Sequence, residues 1–300
     1  MNSANITSIN NQASINNHLE PALDNVLLEP LVHAALVEDL GRRGDVTSQA
    51  TIPADKQAQL QIKARQAGVI CGMDLARLSF AMVDSQIEFV AQVNDGERVE
   101  AGTVLAIVSG NARHLLTAER TALNFLTHLS GIASATQQIV DSVADYPAQI
   151  TCTRKTIPGL RTVQKYAVRC GGGRNHRLGL DDAILIKDNH IAIAGDIQTA
   201  IKQAQVFAGH LIPIEVEVDT LEQLALALEA GVSLVLLDNM SPEVLAKAVA
   251  MCKGRAKTEA SGGITPETVQ AAAQTGVDFI AMGYLTHSTT ALDIGLDFSA

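Results

Sequence analysis

One feature constrains the fold of this chain more than any other. After residue 145, short apolar strands alternate with helical patterns, unit after unit. Strands are expected at 149–153, 183–187, 213–218, 233–237, 256–260 and 278–282. Helices fall between them at 160–171, 196–208, 221–230, 242–253 and 266–275. Repeated strand–helix units imply a parallel sheet with right-handed crossovers. Strands this short and apolar are buried on both faces, as in a barrel or a doubly wound sheet. The helix starts carry matching signals. Thr220 with Gln223 forms a capping box, and Ser241-Pro242 and Thr265-Pro266 each set an N-cap residue before a proline. Gly231 and Gly276 stand where helices should stop.

The first half has a different rhythm. LLEPLVHAALVEDL reads as a helix stopped by Gly41 and Gly44, and Asp45-Val46-Thr47 leads into a polar turn ending at Pro53. Ala58, Leu60, Ile62 and Ala64 then alternate with polar residues, the mark of a half-buried strand. Further β runs are expected at 86–93 and 103–108. Residues 114–130 return to helical period. Leu115, Leu116, Ala118, Ala122, Leu126 and Leu129 share an apolar face, and Thr117, Arg120, Thr121, Asn124 and His128 share a polar stripe. Gly131 is expected to interrupt this helix. The expected organisation is a tail over 1–23, an α/β domain over 24–130 and a strand–helix domain over 131–288.

Composition excludes several classes. At 47% apolar and 18% charged over 300 residues, the chain buries a large core. Its formal charge of −10 argues against coating a nucleic acid. No apolar run reaches the ~18 residues of a membrane helix. The Asn-rich start has neither the basic and apolar regions of a signal peptide nor the arginines of a transit peptide. Cys71, Cys152, Cys170 and Cys252 form no C-x-x-C pair, so free thiols in a reducing cytoplasm are expected.

Ligands of parallel α/β folds lie beyond the carboxyl ends of the strands. Those ends are chemically loaded here. They carry Thr153-Arg154-Lys155, Lys187-Asp188-Asn189-His190, Glu215 and Glu217 with Asp219, Asp238-Asn239, Ser261-Gly262-Gly263, and Met282-Gly283. From Arg154 to Lys187 there are eight basic and two acidic residues, a local charge of +6. Arg161, Lys165 and Arg169, at i+4 steps, fit a solvated helix face. Arg154, Lys155, Arg177 and Lys187 flank strand ends or glycines and fit anion ligands. Gly171-Gly172-Gly173 lets backbone approach a ligand beside His176, itself either a loop histidine or an anion donor. Late glycine loops supply backbone N–H groups to phosphates. Glu217 and Asp238, one strand apart, suit a Mg²⁺ shared with a diphosphate, or ribose hydroxyls. These features point to a phosphorylated polyanion with a metal ion.

ERTALNFL (119–126), TRKTIPGLR (153–161), KYAVRCGGGRNHRLGLDDAILIKDNHI (165–191), EVEVD (215–219), LLDN (236–239), SGG (261–263) and GVDFIAMGYLTHS (276–288) resemble the quinolinate phosphoribosyltransferase family. EDLGRRGDVTS (38–48) fits it too. The resemblance implies an α/β fold, an N-terminal α/β sandwich domain plus a C-terminal incomplete (β/α) barrel, with residues 289–300 returning to the sandwich. It implies conversion of quinolinate and phosphoribosyl pyrophosphate to nicotinate mononucleotide, diphosphate and CO₂, with Mg²⁺, in a homodimer or a higher oligomer built on it.

By the same resemblance, Thr153, Arg154, Lys155, His176, Arg177 and Lys187 surround the pyridine dicarboxylate and phosphate charges. Arg120 is donated across the dimer interface. Glu217 and Asp238 hold ribose hydroxyls and the metal–diphosphate, and with Lys155 form the catalytic set. Ser261, Gly262, Gly263, Met282, Gly283 and Tyr284 cradle the 5′-phosphate. Cys152 replaces an aspartate of the family pattern, and Tyr284 stands where a smaller residue is usual. Rival readings are a phosphoribosyltransferase for a pyridine monocarboxylate, a non-catalytic relative binding a phosphometabolite, and a metal-dependent aldolase.

Overall fold

The structure, a computed structural model, describes residues 23–298. The expected tail lies outside these residues except for Leu23. The N-terminal part holds α1 (Asn25–Leu40), α2 (Val46–Thr51), β1 (Gln57–Ala64), β2 (Gly68–Val69), α3 (Met73–Val83), β3 (Glu88–Ala91), β4 (Arg98–Val99), β5 (Val104–Asn111) and α4 (Ala112–Ser142). The second part holds β6 (Gln149–Thr151), α5 (Arg161–Cys170), β7 (Ile184–Ile186), α6 (Asp188–Ala194), α7 (Ile197–Phe207), β8 (Ile214–Val218) and α8 (Leu221–Glu229). It continues with β9 (Leu234–Asp238), α9 (Pro242–Cys252), β10 (Lys257–Ser261), α10 (Val269–Gln274), β11 (Phe279–Ala281), α11 (Tyr284–His287) and β12 (Ile294–Phe298).

Two main sheets result. An antiparallel sheet in the order β12-β1-β5-β3 carries the N-terminal domain, and its last strand comes from the C-terminus. Ile294 pairs with Ala64 and Phe298 with Leu60. The other sheet is six-stranded and parallel in the order β6-β11-β10-β9-β8-β7. It curls without closing. Beside β6 the missing ladder is continued by the loop after α5: Arg174 N–H donates to Ile150 O at 2.7 Å, and Cys152 N–H to Arg174 O at 3.2 Å. This is the incomplete (β/α) barrel.

Several expected boundaries move for physical reasons. Asp45 does not open a turn. Its carboxylate accepts from Ser48 N–H at 2.9 Å and so caps α2. α4 does not stop at Gly131 but runs on to Ser142. A Cβ on Gly131 would lie 2.2 Å from Thr290 O, so this glycine is where the helix crosses the returning C-terminal segment. On the same helix Leu116 is exposed and Thr121 is buried, the reverse of the expected faces. Leu115, Leu126 and Leu129 are fully buried, each contributing about 1.5–3 kcal/mol of transfer free energy. Thr265-Pro266 sits in a turn, and α10 begins only at Val269. Ser241-Pro242 does start α9, and Ser241 Oγ accepts from Val244 N–H at 3.4 Å. Gln223 reaches one residue further than expected: its Oε1 accepts from Asp219 N–H at 2.8 Å.

Candidate active site

The carboxyl ends of the six parallel strands surround a cavity of about 810 Å³. Thr153, Arg154 and Lys155 enter from the loop after β6, and Lys187 from the end of β7. Glu217 comes from β8, Asp238 from the last position of β9, and Ser261, Gly262 and Gly263 from the end of β10. Gly283 and Tyr284 follow β11, and His176 and Arg177 come from the loop after α5. The convergence follows from strand geometry. Parallel strands all end on one rim, and alternate side chains face the barrel interior.

One residue expected at this site lines no part of it. Met282 is fully buried in the hydrophobic core, because it continues the inward packing of β11. Arg120, expected to serve a neighbouring subunit's site, lies on the exposed side of α4 and does not line its own cavity.

The charges are arranged in opposed sets. Lys187 Nζ forms a short ion pair with Glu217 Oε2. Asp238 is held by Asn239, whose side-chain amide donates to Oδ2 at 2.6 Å. Burial, together with the Asp219 carboxylate, raises the Asp238 pKa above the usual carboxylate value, against the pull of Lys187 and Lys155. Arg154 Nε and Arg177 Nε are buried donors without a hydrogen-bond partner among the described residues. A second guanidinium nitrogen of Arg177 is fixed by Ala183 O at 3.1 Å. Buried unpaired donors are costly and mark places where an acceptor binds.

The loop carrying His176 and Arg177 is built from behind. Lys165, expected on a solvated helix face, is 1% exposed. Its ammonium donates to His176 O at 2.8 Å and Arg177 O at 2.9 Å, and to Cys152 Sγ at 3.2 Å. Cys152 is therefore part of this loop's support, with its thiol also 3.3 Å from Asn175 Oδ1. Gly171 and Gly173 serve packing rather than ligand approach, and Gly172, with φ 85°, makes the turn between them. A Cβ on Gly171 would lie 2.3 Å from Ala133 O, and one on Gly173 would lie 2.8 Å from Val168 Cγ1. They allow α5 and its loop to press on α4.

Beneath the rim His176 and Glu215 meet Glu259, the member of this buried group that the motifs do not single out. His176 Nε2 is 3.0 Å from Glu215 Oε2 and 3.6 Å from Glu259 Oε1. Burial works against a charged imidazole, but the Glu215 hydrogen bond and the two carboxylate charges outweigh it and raise the His176 pKa. The opposing geometric constraint is at Nδ1, which accepts from Arg177 N–H at 2.8 Å and must give up that bond to gain a proton. Burial and the nearby Glu215 charge push Glu259 up to about 7. The available signal was a glutamate inside an otherwise buried parallel strand, which apolar periodicity alone does not explain. Asn239, named above only as part of a strand end, has a backbone role as well. It is the one non-glycine residue at positive φ among those described (φ 52°), and it packs against Gly262, where a Cβ would lie 2.3 Å from Asn239 Oδ1.

The chemistry of the donors bears on a metal. Glu217 and Asp238 are hard oxygen donors, the type that Mg²⁺ prefers. Among the described residues, the groups of three converging ligand side chains are Cys71/Asp95/Cys170 and His176/Glu215/Glu259, and neither contains Glu217 or Asp238. The rim therefore fits an ion brought in by substrate phosphates and met by one or two carboxylates, rather than an all-protein cage.

Comparison with known proteins agrees along the chain. Residues 45–130 match the quinolinate phosphoribosyl transferase N-terminal domain, and 132–297 match its C-terminal domain. The junction lies inside α4, at the turn that contains Gly131. A probable nicotinate-nucleotide pyrophosphorylase (carboxylating) of Bacillus subtilis is 42% identical over 275 residues, covering 92% of this chain and 94% of that protein. The Mycobacterium leprae nicotinate-nucleotide pyrophosphorylase (carboxylating) is 47% identical over 271 residues, covering 89% and 95%. The solved nicotinate-nucleotide pyrophosphorylase of Francisella tularensis superposes with a TM-score of 0.89 at 40% identity, covering 93% of this chain and 98% of that one. With both domain models matched in order over residues 45–297, this chain belongs to the quinolinate phosphoribosyl transferase family.

Proposed function

We propose that this protein transfers the 5-phosphoribosyl group from phosphoribosyl pyrophosphate to quinolinate with decarboxylation, giving nicotinate mononucleotide, diphosphate and CO₂ for NAD biosynthesis. One observation carries the reading beyond family membership: two buried arginine Nε donors, Arg154 and Arg177, stand unpartnered in a cavity that also holds Lys155 and Lys187. Two guanidinium edges, that of Arg177 anchored by Ala183 O, suit a planar dicarboxylate better than a monocarboxylate.

The chain's own residues account for the binding and much of the chemistry. Arg154 and Arg177 orient the two carboxylates, and Lys155 and His176 complete that wall. Ser261, Gly262 and Gly263 turn backbone N–H groups to the 5′-phosphate. Gly262 and Gly263 have φ of 90° and 61°, a conformation that side-chain-bearing residues avoid. Gly283 and Tyr284 close the cradle. Glu217 and Asp238 hold the ribose hydroxyls and would hold Mg²⁺ jointly with the diphosphate. When bound, that ion stabilises charge on the leaving group. As the bond from ribose C1 to diphosphate lengthens, positive charge grows on the ribose, and the Glu217 and Asp238 carboxylates lie on the rim where it develops. Alkylation makes the pyridine nitrogen cationic, so the ring accepts the electron pair left by CO₂.

Arg120 completes the site from a second subunit. It is exposed on α4 and unused by its own cavity, which is what donation to a neighbour in a homodimer requires. The protein works in the cytoplasm on this reading. Among the described residues no helix is long and apolar enough to cross a membrane. The deciding experiment measures nicotinate mononucleotide and CO₂ from quinolinate and phosphoribosyl pyrophosphate with Mg²⁺, beside nicotinate as acceptor and an EDTA control. Equal amounts of both products, from quinolinate alone and lost with EDTA, are expected. Turnover of nicotinate instead would overturn the assignment, and no turnover of either would favour a binding-only relative.

A further inference from the structure

The reaction proposed above replaces a carbon–carboxylate bond by a carbon–hydrogen bond, so a proton must reach the ring carbon that CO₂ leaves. The inference here rests on that reading. Arginine does not release protons in proteins. Lys187 is paired with Glu217, and Asp238 is engaged by Asn239.

Glu259 stands apart. It lies on β10 two residues before Ser261, lines the same cavity, and is 7% exposed. Its Oε1 accepts from Thr151 Oγ1 at 3.5 Å and lies 3.6 Å from His176 Nε2. No lysine or arginine among the described residues pairs with it. The charged groups facing it are Glu215 on β8, His176 in the loop after α5, and Lys165 on α5. Two carboxylates sharing one imidazole nitrogen in so little water cannot both ionise cheaply. Burial and Glu215 accordingly hold Glu259 near neutrality, at about 7. A neutral carboxyl also avoids repelling an incoming dicarboxylate.

A second observation supplies the return path. A separate cavity of about 700 Å³ opens at the opposite end of the strands, bounded by their first residues, among them Gln149, Ile184, Leu234 and Phe279. His176 and Glu259 line both cavities. The barrel floor at this point is one layer of polar side chains, with solvent access from below while substrates cover the mouth.

We propose that Glu259 is the acid that protonates the ring carbon vacated by CO₂, and that its proton is replaced through the lower cavity. The electron pair of the broken carbon–carbon bond stays on the ring carbon as CO₂ leaves. It takes the proton of the Glu259 carboxyl, leaving a carboxylate. A solvent proton entering from below restores the acid, so one proton is consumed per CO₂ released.

Glu259→Gln tests this, because glutamine keeps the shape, neutrality and hydrogen bonding but has no proton to give. Quinolinate binding, titrated directly on folded protein, should stay within about threefold, while kcat falls on the order of 100-fold. Product made in equimolar H₂O and D₂O should carry a different H/D ratio at the ring carbon, because water replaces the carboxyl as donor. Wild-type kcat should fall as pH rises through about 7, where the acid loses its proton, and the variant should lack that limb. A variant with wild-type kcat and an unchanged H/D ratio overturns the proposal. So does a rate loss matched by lost binding with the ratio unchanged. If the variant does not fold, a wild-type kcat that stays level from pH 6 to 9 overturns it. Wild-type protein that makes no nicotinate mononucleotide and CO₂ refutes the functional reading itself, whereas normal wild-type turnover with an indifferent variant refutes only the role of Glu259.

Discussion

Replacing Lys165 by methionine removes a charge that touches no substrate yet should weaken quinolinate binding selectively. The ammonium is buried, and its three protons go to His176 O, Arg177 O and Cys152 Sγ at 2.8, 2.9 and 3.2 Å. Methionine fills a similar volume and donates nothing. Two backbone carbonyls are then left without this donor where water has little access, at about 1–3 kcal/mol each. Relief from burying an ammonium offsets part of that cost. A net loss of about 2 kcal/mol is expected, lowering the melting temperature by about 4–8 °C. The local effect is larger than the global one. The two carbonyls belong to the residues that present an imidazole and a guanidinium to the cavity, and they move when their anchor goes. Steady-state kinetics on the folded variant should show the quinolinate KM raised tenfold or more, with the KM for phosphoribosyl pyrophosphate within about twofold. The asymmetry arises because Glu217, Asp238 and the Ser261–Gly263 loop stand on other strands. Lys165→Arg, which keeps the charge, should recover part of the loss. An unchanged quinolinate KM, or both KM values rising together, would refute the reasoning.

Other consequences are quick to check. Gly262→Ala forces a Cβ to 2.3 Å from Asn239 Oδ1 at a φ of 90°, so the KM for phosphoribosyl pyrophosphate should rise at least tenfold while quinolinate still binds in a direct titration. Gly131→Ala drives a Cβ to 2.2 Å from Thr290 O, and overpacking of this kind costs about 1–3 kcal/mol; thermal melts should fall by several degrees, and limited proteolysis should release the C-terminal strand. Arg120→Ala and Lys155→Ala proteins, each inactive alone, should regain activity on mixing with subunit exchange, since a hybrid dimer keeps one site with both residues intact. No recovery despite demonstrated exchange would rule out a shared site.

The two halves of the fold were unequally legible. In the barrel, buried parallel strands read as apolar runs and their helices are punctuated by caps such as Ser241 and glycines such as Gly231. Both signals are local, so strand order along the chain was readable. The N-terminal half hid more. α3 carries apolar residues on most sides because it is wedged between α1 and α4, which blurs its period. α2 is only six residues long and owes its existence to the Asp45 cap. At the site, strand-end residues were readable because a short buried strand has no local reason to end on several charges. Glu259, Lys165 and Cys152 were not, because their roles depend on neighbours far away in sequence.

The strand–helix rhythm, the rim on which the charged residues gather and the family motifs are legible along the chain, since each depends on residues near one another in sequence. Tertiary packing alone separates the glycines at close contacts from those in turns: Gly131 and Gly171 serve helix crossings, whereas Gly262 and Gly263 turn at the cavity. It also decided that Lys165 is an internal anchor rather than a surface charge, and that two glutamates share one histidine beneath the rim. The physical reason is the same in each case. Burial and close approach are pairwise properties of segments brought together by folding, and a single residue's type does not carry them.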